Sequence, residues 1–240
     1  MSLNLYLKFG GLPYLKNIAL KEDIAYEYLR SIYSTILYKD ILTKHKIRNT
    51  RFVEDLVNFA ADNTGSIVSS KKISDFLKSQ KINIPPVRVI EYLKHLYNAF
   101  FLIKLQRADL KGKRFFEIGE KYYFNDIGLR NAIIGYKPND INKILENVVL
   151  LHLLNNGYKA FTGSIGANEI DFVFEKNSQR IYVQVAYLIS DEKVHEREFG
   201  NLKLIKDNYP KYVVSMDSLN LGEDNGIIHL QLLEFLNTRF

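Results

Sequence analysis

Residues 168–187, NEIDFVFEKNSQRIYVQVAY, alternate apolar and polar side chains on both sides of a polar turn. That period of two is incompatible with a helix and predicts two strands folded into a hairpin. On the first strand Glu169, Asp171 and Val173 share one face, and Ile170, Phe172 and Phe174 share the other. On the second, Tyr182, Gln184 and Ala186 oppose Val183 and Val185. Pairing the strands sets Asp171 beside Gln184, with Glu146 available from the preceding helix. Oxygen donors of this kind suit a hard cation such as magnesium or manganese, which polarises a phosphodiester and prepares an attacking water.

Around the hairpin the pattern changes once. Gly, Pro, Asn and Asp in GYKPNDIN, 135–142, break the periodicity and mark a boundary. Before it, 1–48 reads as a helical segment and 49–137 as helix, helix, turn, helix and hairpin, the order of a winged helix-turn-helix. RFVEDLVNFAADN places Phe52, Leu56, Phe59 and Ala60 on one helical face; SSKKISDFLKSQ begins at a Ser cap; PPVRVIEYLKHLYNAF begins with Pro and spaces Val89, Leu93 and Leu96 along one side. FLIKLQRADL and RFFEIGEKYYF are β-rich runs joined by the basic loop KGK, which makes a wing. After the boundary, 138–240 reads as a helix over 139–156, strands near 158–163, 169–175 and 180–187, a charged helix over 191–208, further strands in KYVVSM and GIIHL, and a closing helix. The fold class is α/β (α+β overall), with one central sheet flanked by helices in the last segment.

Charge divides at the same place. Residues 1–137 carry 23 Lys and Arg against 13 Asp and Glu, a net of +10; residues 138–240 carry 10 against 14, a net of −4. The basic part is the candidate for a polyanion such as double-stranded DNA. Lys71, Lys72, Arg88, Lys94, Lys111, Lys113 and Arg114 are its candidate phosphate contacts, with Arg88 on the recognition helix and Lys111, Lys113 and Arg114 in the wing. The alternative is a solvated basic face on a protein-docking module.

Several function classes are set aside by what the sequence lacks. There is no cysteine, hence no disulfide framework or thiolate metal site. No apolar run approaches the roughly 20 residues that cross a bilayer, so no membrane partner is expected. The N-terminus has neither a basic n-region nor a small-residue cleavage site, which points to the cytoplasm. The five histidines form no i, i+4 pair. No G-x-x-x-x-G-K-[ST] occurs, so this chain holds no phosphate-cradling loop and no ATP.

The hairpin resembles that of the PD-(D/E)xK nuclease superfamily, whose restriction-endonuclease-like core runs α-β-β-β-α-β. By position, Glu146 corresponds to the helix acid, Asp171 to the strand acid, and Gln184 to the second acid, for which Gln is a known substitute. Ala186 stands where the lysine belongs, and a methyl group supplies no charge to the transition state. The resemblance implies a vestigial metal site, magnesium or manganese held weakly, and no confident catalytic residue; a working metal-dependent nuclease using Glu146, Asp171 and Gln184 is the alternative. A second resemblance covers most of the chain. FGGLPYL, IYSTILYKDILTKHKIRN, LVNFAADNTGSIVSSKKISDFLKSQ, EKYYFNDIGLRNAIIG, NEIDFV, YVQVAY and REFGNLKLIKDNYPKYVVSMD are similar to the C-terminal part of bacterial and archaeal AAA-type ATPases. It implies that 1–48 is the end of an ATPase lid, that the partner is an N-terminal ATPase module binding ATP, that the parent forms a homo-oligomer, and that this part recognises nucleic acid or a partner without being an enzyme itself.

Overall fold

A computed structural model describes residues 1–112, 114–116, 119–218, 221–238 and 240. The chain divides into two compact units, Met1–Lys104 with Ile118–Pro138 and Leu105–Glu117 with Asn139–Phe240. The protein is mixed α/β, with one eight-stranded mixed sheet and one small three-stranded sheet. No helix among the described residues is long and apolar enough to cross a membrane.

In the first unit, α1 (Leu3–Phe9) stops at Gly10, whose φ of 77° is left-handed. The longer α2 (Glu22–Thr35) carries Glu22 and Asp23 in its first turn, where the helix dipole favours negative charge, and continues as a π-helical stretch over Ile36–Thr43. Asn49 caps α3 (Thr50–Asp62) by accepting the Phe52 N–H, and the helix buries Phe52, Val53, Leu56 and Val57. After β1 (Ile67–Val68), Ser69 caps α4 (Ser70–Ser79) through the Lys72 N–H. Pro86 opens α5 (Pro86–Asn98), where its missing N–H costs nothing. Then come β2 (Leu102–Leu105), β5 (Glu120–Phe124) and α6 (Ile127–Ile134), while β3 (Arg107–Asp109) and β4 (Arg114–Phe115), which lie between β2 and β5 in sequence, belong to the second unit. The small sheet runs β1-β5-β2.

Polar side chains of α6 hold this unit together. Asp126, buried at its N-cap, accepts the Leu129 N–H at 3.2 Å and the Gly11 N–H at 2.7 Å. Asn131 Nδ2 donates to the carbonyls of Leu7 and Lys8, both at 3.0 Å, and fully buried Arg130 donates through Nε to the Ala61 carbonyl. A Cβ at Gly128 would lie 1.9 Å from the Phe9 carbonyl oxygen, so only glycine allows α1 and α6 to approach this closely. The stretches FGGLP and FNDIGLRN are thus the two sides of one clasp.

The second unit comprises α7 (Ile141–Asn155), β6 (Lys159–Ile165), β7 (Asn168–Lys176), β8 (Gln179–Val185), α8 (Glu192–Lys203), β9 (Lys211–Ser215), β10 (Glu223–Asp224), β11 (Ile227–Gln231) and α9 (Leu232–Asn237). Its sheet order is β10-β11-β9-β8-β7-β6-β3-β4. The strands are parallel at β11–β9, β9–β8 and β6–β3, and antiparallel at the other junctions. Helix α8 ends at Lys203 rather than near 208. Asn177 and Ser178, with φ of 50° and 65°, form the tight turn between β7 and β8.

Two features differ from the local reading. The stretch expected as one wing hairpin is divided: β2 pairs with β5 in the small sheet, while β3 and β4 form the end of the large one, with Ala108 paired in parallel to Gly163. Strict alternation also fails in β7. Phe161 pairs with Val173 but Gly163 pairs with Ile170, so Asp171 and Phe172 together oppose Thr162. This β-bulge shifts Ile170 onto the face of Val173, where both pack in the cluster under Phe199 and Leu202 of α8.

Gly128→Ala is expected to destabilise the protein by about 1–3 kcal/mol, the range for forcing a methyl into a packed site. Denaturant titration followed by far-UV circular dichroism measures it, and a comparable effect is expected for Asp126→Ala, which leaves the Gly11 and Leu129 donors without an acceptor.

Candidate functional site

At Asp171 the large sheet forks. The backbone ladder between β7 and β8 runs only as far as Phe172↔Val183; beyond it β7 stays with β6 and β8 stays with β9. Side chains replace the missing rungs. The Asp171 N–H donates to Gln184 Oε1 at 2.6 Å, and the Val185 N–H donates to Asp171 Oδ2 at 2.9 Å. Gln184, 3% exposed, also donates through Nε2 to Glu198 Oε2 at 3.2 Å. Glu198 belongs to α8 and is itself buried; its other oxygen accepts from Arg197 Nε at 2.8 Å. Burial pushes the Glu198 carboxyl above its ordinary range, the nearby Asp171 charge adds to that, and the Arg197 and Gln184 hydrogen bonds oppose it.

The structure therefore brings Asp171 and Gln184 together as the alternation implied, and adds Glu198. Glu146 is half-buried on α7, a helix that packs on β6, β7 and β8 and gives no residue to the cluster under α8. Ala186 is buried, and its N–H donates to the Val214 carbonyl. Gln184 Oε1, Asp171 Oδ2 and both Glu198 oxygens already accept hydrogen bonds, and no group of three His, Asp or Glu among the described residues is arranged to hold a metal. Glu198 went unnoticed because DEKVHERE reads as a charged helix face. Its signal is helical phase: it falls four residues after Val194 and four before buried Leu202, in the inward stripe.

A Ser215–His229–Asp217 grouping, its serine and histidine buried, does not form a nucleophile. The Leu221 N–H donates to His229 Nδ1, which leaves the ring proton on Nε2. That proton faces Ser215 Oγ at 2.8 Å, and Ser215 donates onward to Asp217 at 2.7 Å. The imidazole holds no lone pair toward the serine.

Of the candidate phosphate contacts, Lys71 and Lys72 are exposed on α4, and Arg88 and Lys94 are exposed on α5. Arg88 Nη1 donates to Glu91 at 2.5 Å. Lys111 and Arg114, expected in a wing, belong to the second unit, in and after the turn from β3 to β4. Lys113 lies outside the described residues.

A model of the family described as Domain of unknown function (DUF8612) matches residues 2–140. An uncharacterized protein of Haemophilus influenzae is 34% identical over 96% of this chain and 56% of its own length. Uncharacterized protein MJ1544 of Methanocaldococcus jannaschii is 29% identical over 91% of this chain and 48% of its own. The chain spans about half the length of the curated relatives it matches. Among solved structures, protein VC1899 from Vibrio cholerae aligns over 87% of this chain and 53% of its own, at 11% identity and a TM-score of 0.28.

The raised Glu198 carboxyl sets a pH dependence with a definite sign. A buried acid favoured in its neutral form stabilises the fold at low pH, and that contribution is lost as pH rises from the unfolded value, about 4.3, toward the higher folded value. The stability of wild type relative to Glu198→Gln is therefore expected to fall as pH rises above about 4.3. Urea midpoints for both proteins across that range measure it.

Proposed function

The chain belongs to the family Domain of unknown function (DUF8612), and we propose that it is a non-catalytic recognition module, a winged helix-turn-helix joined to a restriction-endonuclease-like domain with an inactive site. It serves a larger cytoplasmic protein whose other half is a P-loop ATPase module. The half-length match to its relatives supports a second module. The observation that carries the inactive reading is the fork: Asp171 and Gln184 brace backbone amides, and methyl-bearing Ala186 sits where a catalytic lysine would stand. Wild type is expected to show no magnesium- or manganese-dependent cleavage of plasmid DNA. A transition state deprived of one charged partner is reached more slowly by a factor of about 10²–10³. Gain of metal-dependent cleavage in Gln184→Glu with Ala186→Lys, abolished by Asp171→Ala, supports an ancestral nuclease site. Cleavage by wild type that Asp171→Ala removes makes the chain an enzyme.

The ligand of the first unit is duplex DNA in this reading. Lys71 and Lys72 on α4 and Lys94 on α5 are exposed and have no ion-pair partner among the described residues. Arg88 is held by Glu91 and contributes less. A specific observation favours a second reading, docking of a protein: Val87, Ile90 and Tyr97, 74%, 56% and 48% exposed, lie along one side of α5. Salt separates the two. Duplex affinity is expected to fall steeply with salt, and replacing Lys71, Lys72 and Lys94 by Ala is expected to reduce the log–log slope by about 0.9 for each phosphate that is no longer neutralised. Absent or salt-independent binding supports docking of a protein.

A further inference from the structure

Two cavities of the second unit share part of their lining. One, of about 700 Å³, is lined by Lys111, Arg114 and Phe115 of the β3–β4 hairpin together with Phe161, Tyr182 and Lys206. The other, of about 560 Å³, lies at the β7–β8 turn beside Lys159 and Lys176. Glu175, Arg180 and Tyr209 line both and form the wall between them. Cations thus line both of these adjoining cavities, a track in a stretch of chain whose net charge is otherwise negative.

Glu175 and Asp207, two of the three acids that line the track, pair with cations, while Asp109 hydrogen-bonds to backbone. Arg180 donates to Glu175 at 2.9 Å; Asp207 accepts the Tyr182 hydroxyl at 2.5 Å and pairs with Lys211; Asp109 accepts the Lys111 N–H. Lys111, Arg114 and Lys159 keep no ion-pair partner among the described residues, and Lys176 donates only to a carbonyl, that of Asn156. Between the cations two rings face water. Phe115, 55% exposed, sets its ring edge-to-face with Phe161, and Tyr209, 41% exposed, lies under the Arg180 guanidinium at 5.7 Å.

We propose that this track binds single-stranded nucleic acid, its phosphates on Arg114 and Lys111 in one cavity and Lys159 and Lys176 in the other, its bases stacked on Phe115 and Tyr209. Cations separated by aromatic surface fit an extended polyanion with free bases, since a duplex keeps its bases stacked inside and a mononucleotide reaches one cavity only. The track is separate from the duplex surface proposed on α4 and α5, and either can fail without the other.

The test is fluorescence anisotropy on the full chain with a labelled oligothymidine of about twenty nucleotides and a labelled hairpin duplex, starting at about 50 mM salt. Phe115→Leu keeps apolar packing on Phe161 but removes the ring, and Tyr209→Ala removes an exposed one. Each is expected to weaken oligothymidine binding by roughly tenfold while leaving duplex binding unchanged. Arg114→Ala with Lys176→Ala is expected to lower the single-strand salt slope by about 0.7 per phosphate. The proposal is overturned if oligothymidine does not bind, if the ring variants bind it as wild type does, if thymidine monophosphate binds as tightly as the oligomer, or if replacing Lys71, Lys72 and Lys94 is what abolishes it.

Discussion

The hydrogen bond from the Val185 N–H to the Asp171 carboxylate closes the large sheet where its own ladder stops. Two adjacent strands that take different neighbours leave backbone donors at the fork, and a buried donor without an acceptor costs about 1–3 kcal/mol. Asp171 answers one such donor, Gln184 answers the Asp171 N–H itself, and Glu198 fixes the far end of the Gln184 amide. Asp171 and Gln184 thus keep β7 and β8 at their separation, and Arg197 supplies the local positive charge from the helix, directed at Glu198.

What was legible in the sequence follows from how local each determinant is. The β7–β8 turn, the Asn49 and Ser69 caps and the Pro86 start are set by residues within a few positions, and each is visible in the string. Alternation placed Tyr182 and Gln184 correctly on the α8 side. It misplaced Ile170, because IDFVF is apolar at every position but Asp171, and nothing in it marks the bulge that turns Ile170 toward Val173. Glu198 was hidden for the opposite reason: so many charges surround it that only helical phase distinguishes the buried one. The partner of β3 was not legible at all. RAD and RF pair with each other as any short hairpin would, but the choice of β6 as neighbour rests on residues far along the chain, with Gly163 leaving room for Leu110, Val173 and Ile170.

The clasp of Asp126, Arg130 and Asn131 shows how motifs can be fixed without chemistry. Burial pushes the Asp126 carboxyl upward, while the Gly11, Leu129 and Gly128 N–H bonds hold it down. Its partners include backbone far away in sequence, so FGGLP and FNDIGLRN constrain each other through hydrogen bonds and close packing. Such residues invite a functional reading from the sequence, yet their bonds serve the packing of α1, α3 and α6.

The passage of β3 and β4 into the second unit has a consequence for biosynthesis. This hairpin leaves the ribosome before β6, the strand it pairs with, and at about 5–20 residues per second the wait is of order seconds. During it β2 and β5 can already pair, which ties the two ends of the hairpin together and lowers the entropy of its later closure. Lys111 and Arg114 keep the waiting strand ends charged, a safeguard against pairing with another nascent chain. The two units are consequently not separable by cutting the chain once: a polypeptide beginning at Asn139 would be born with β6 as a bare edge.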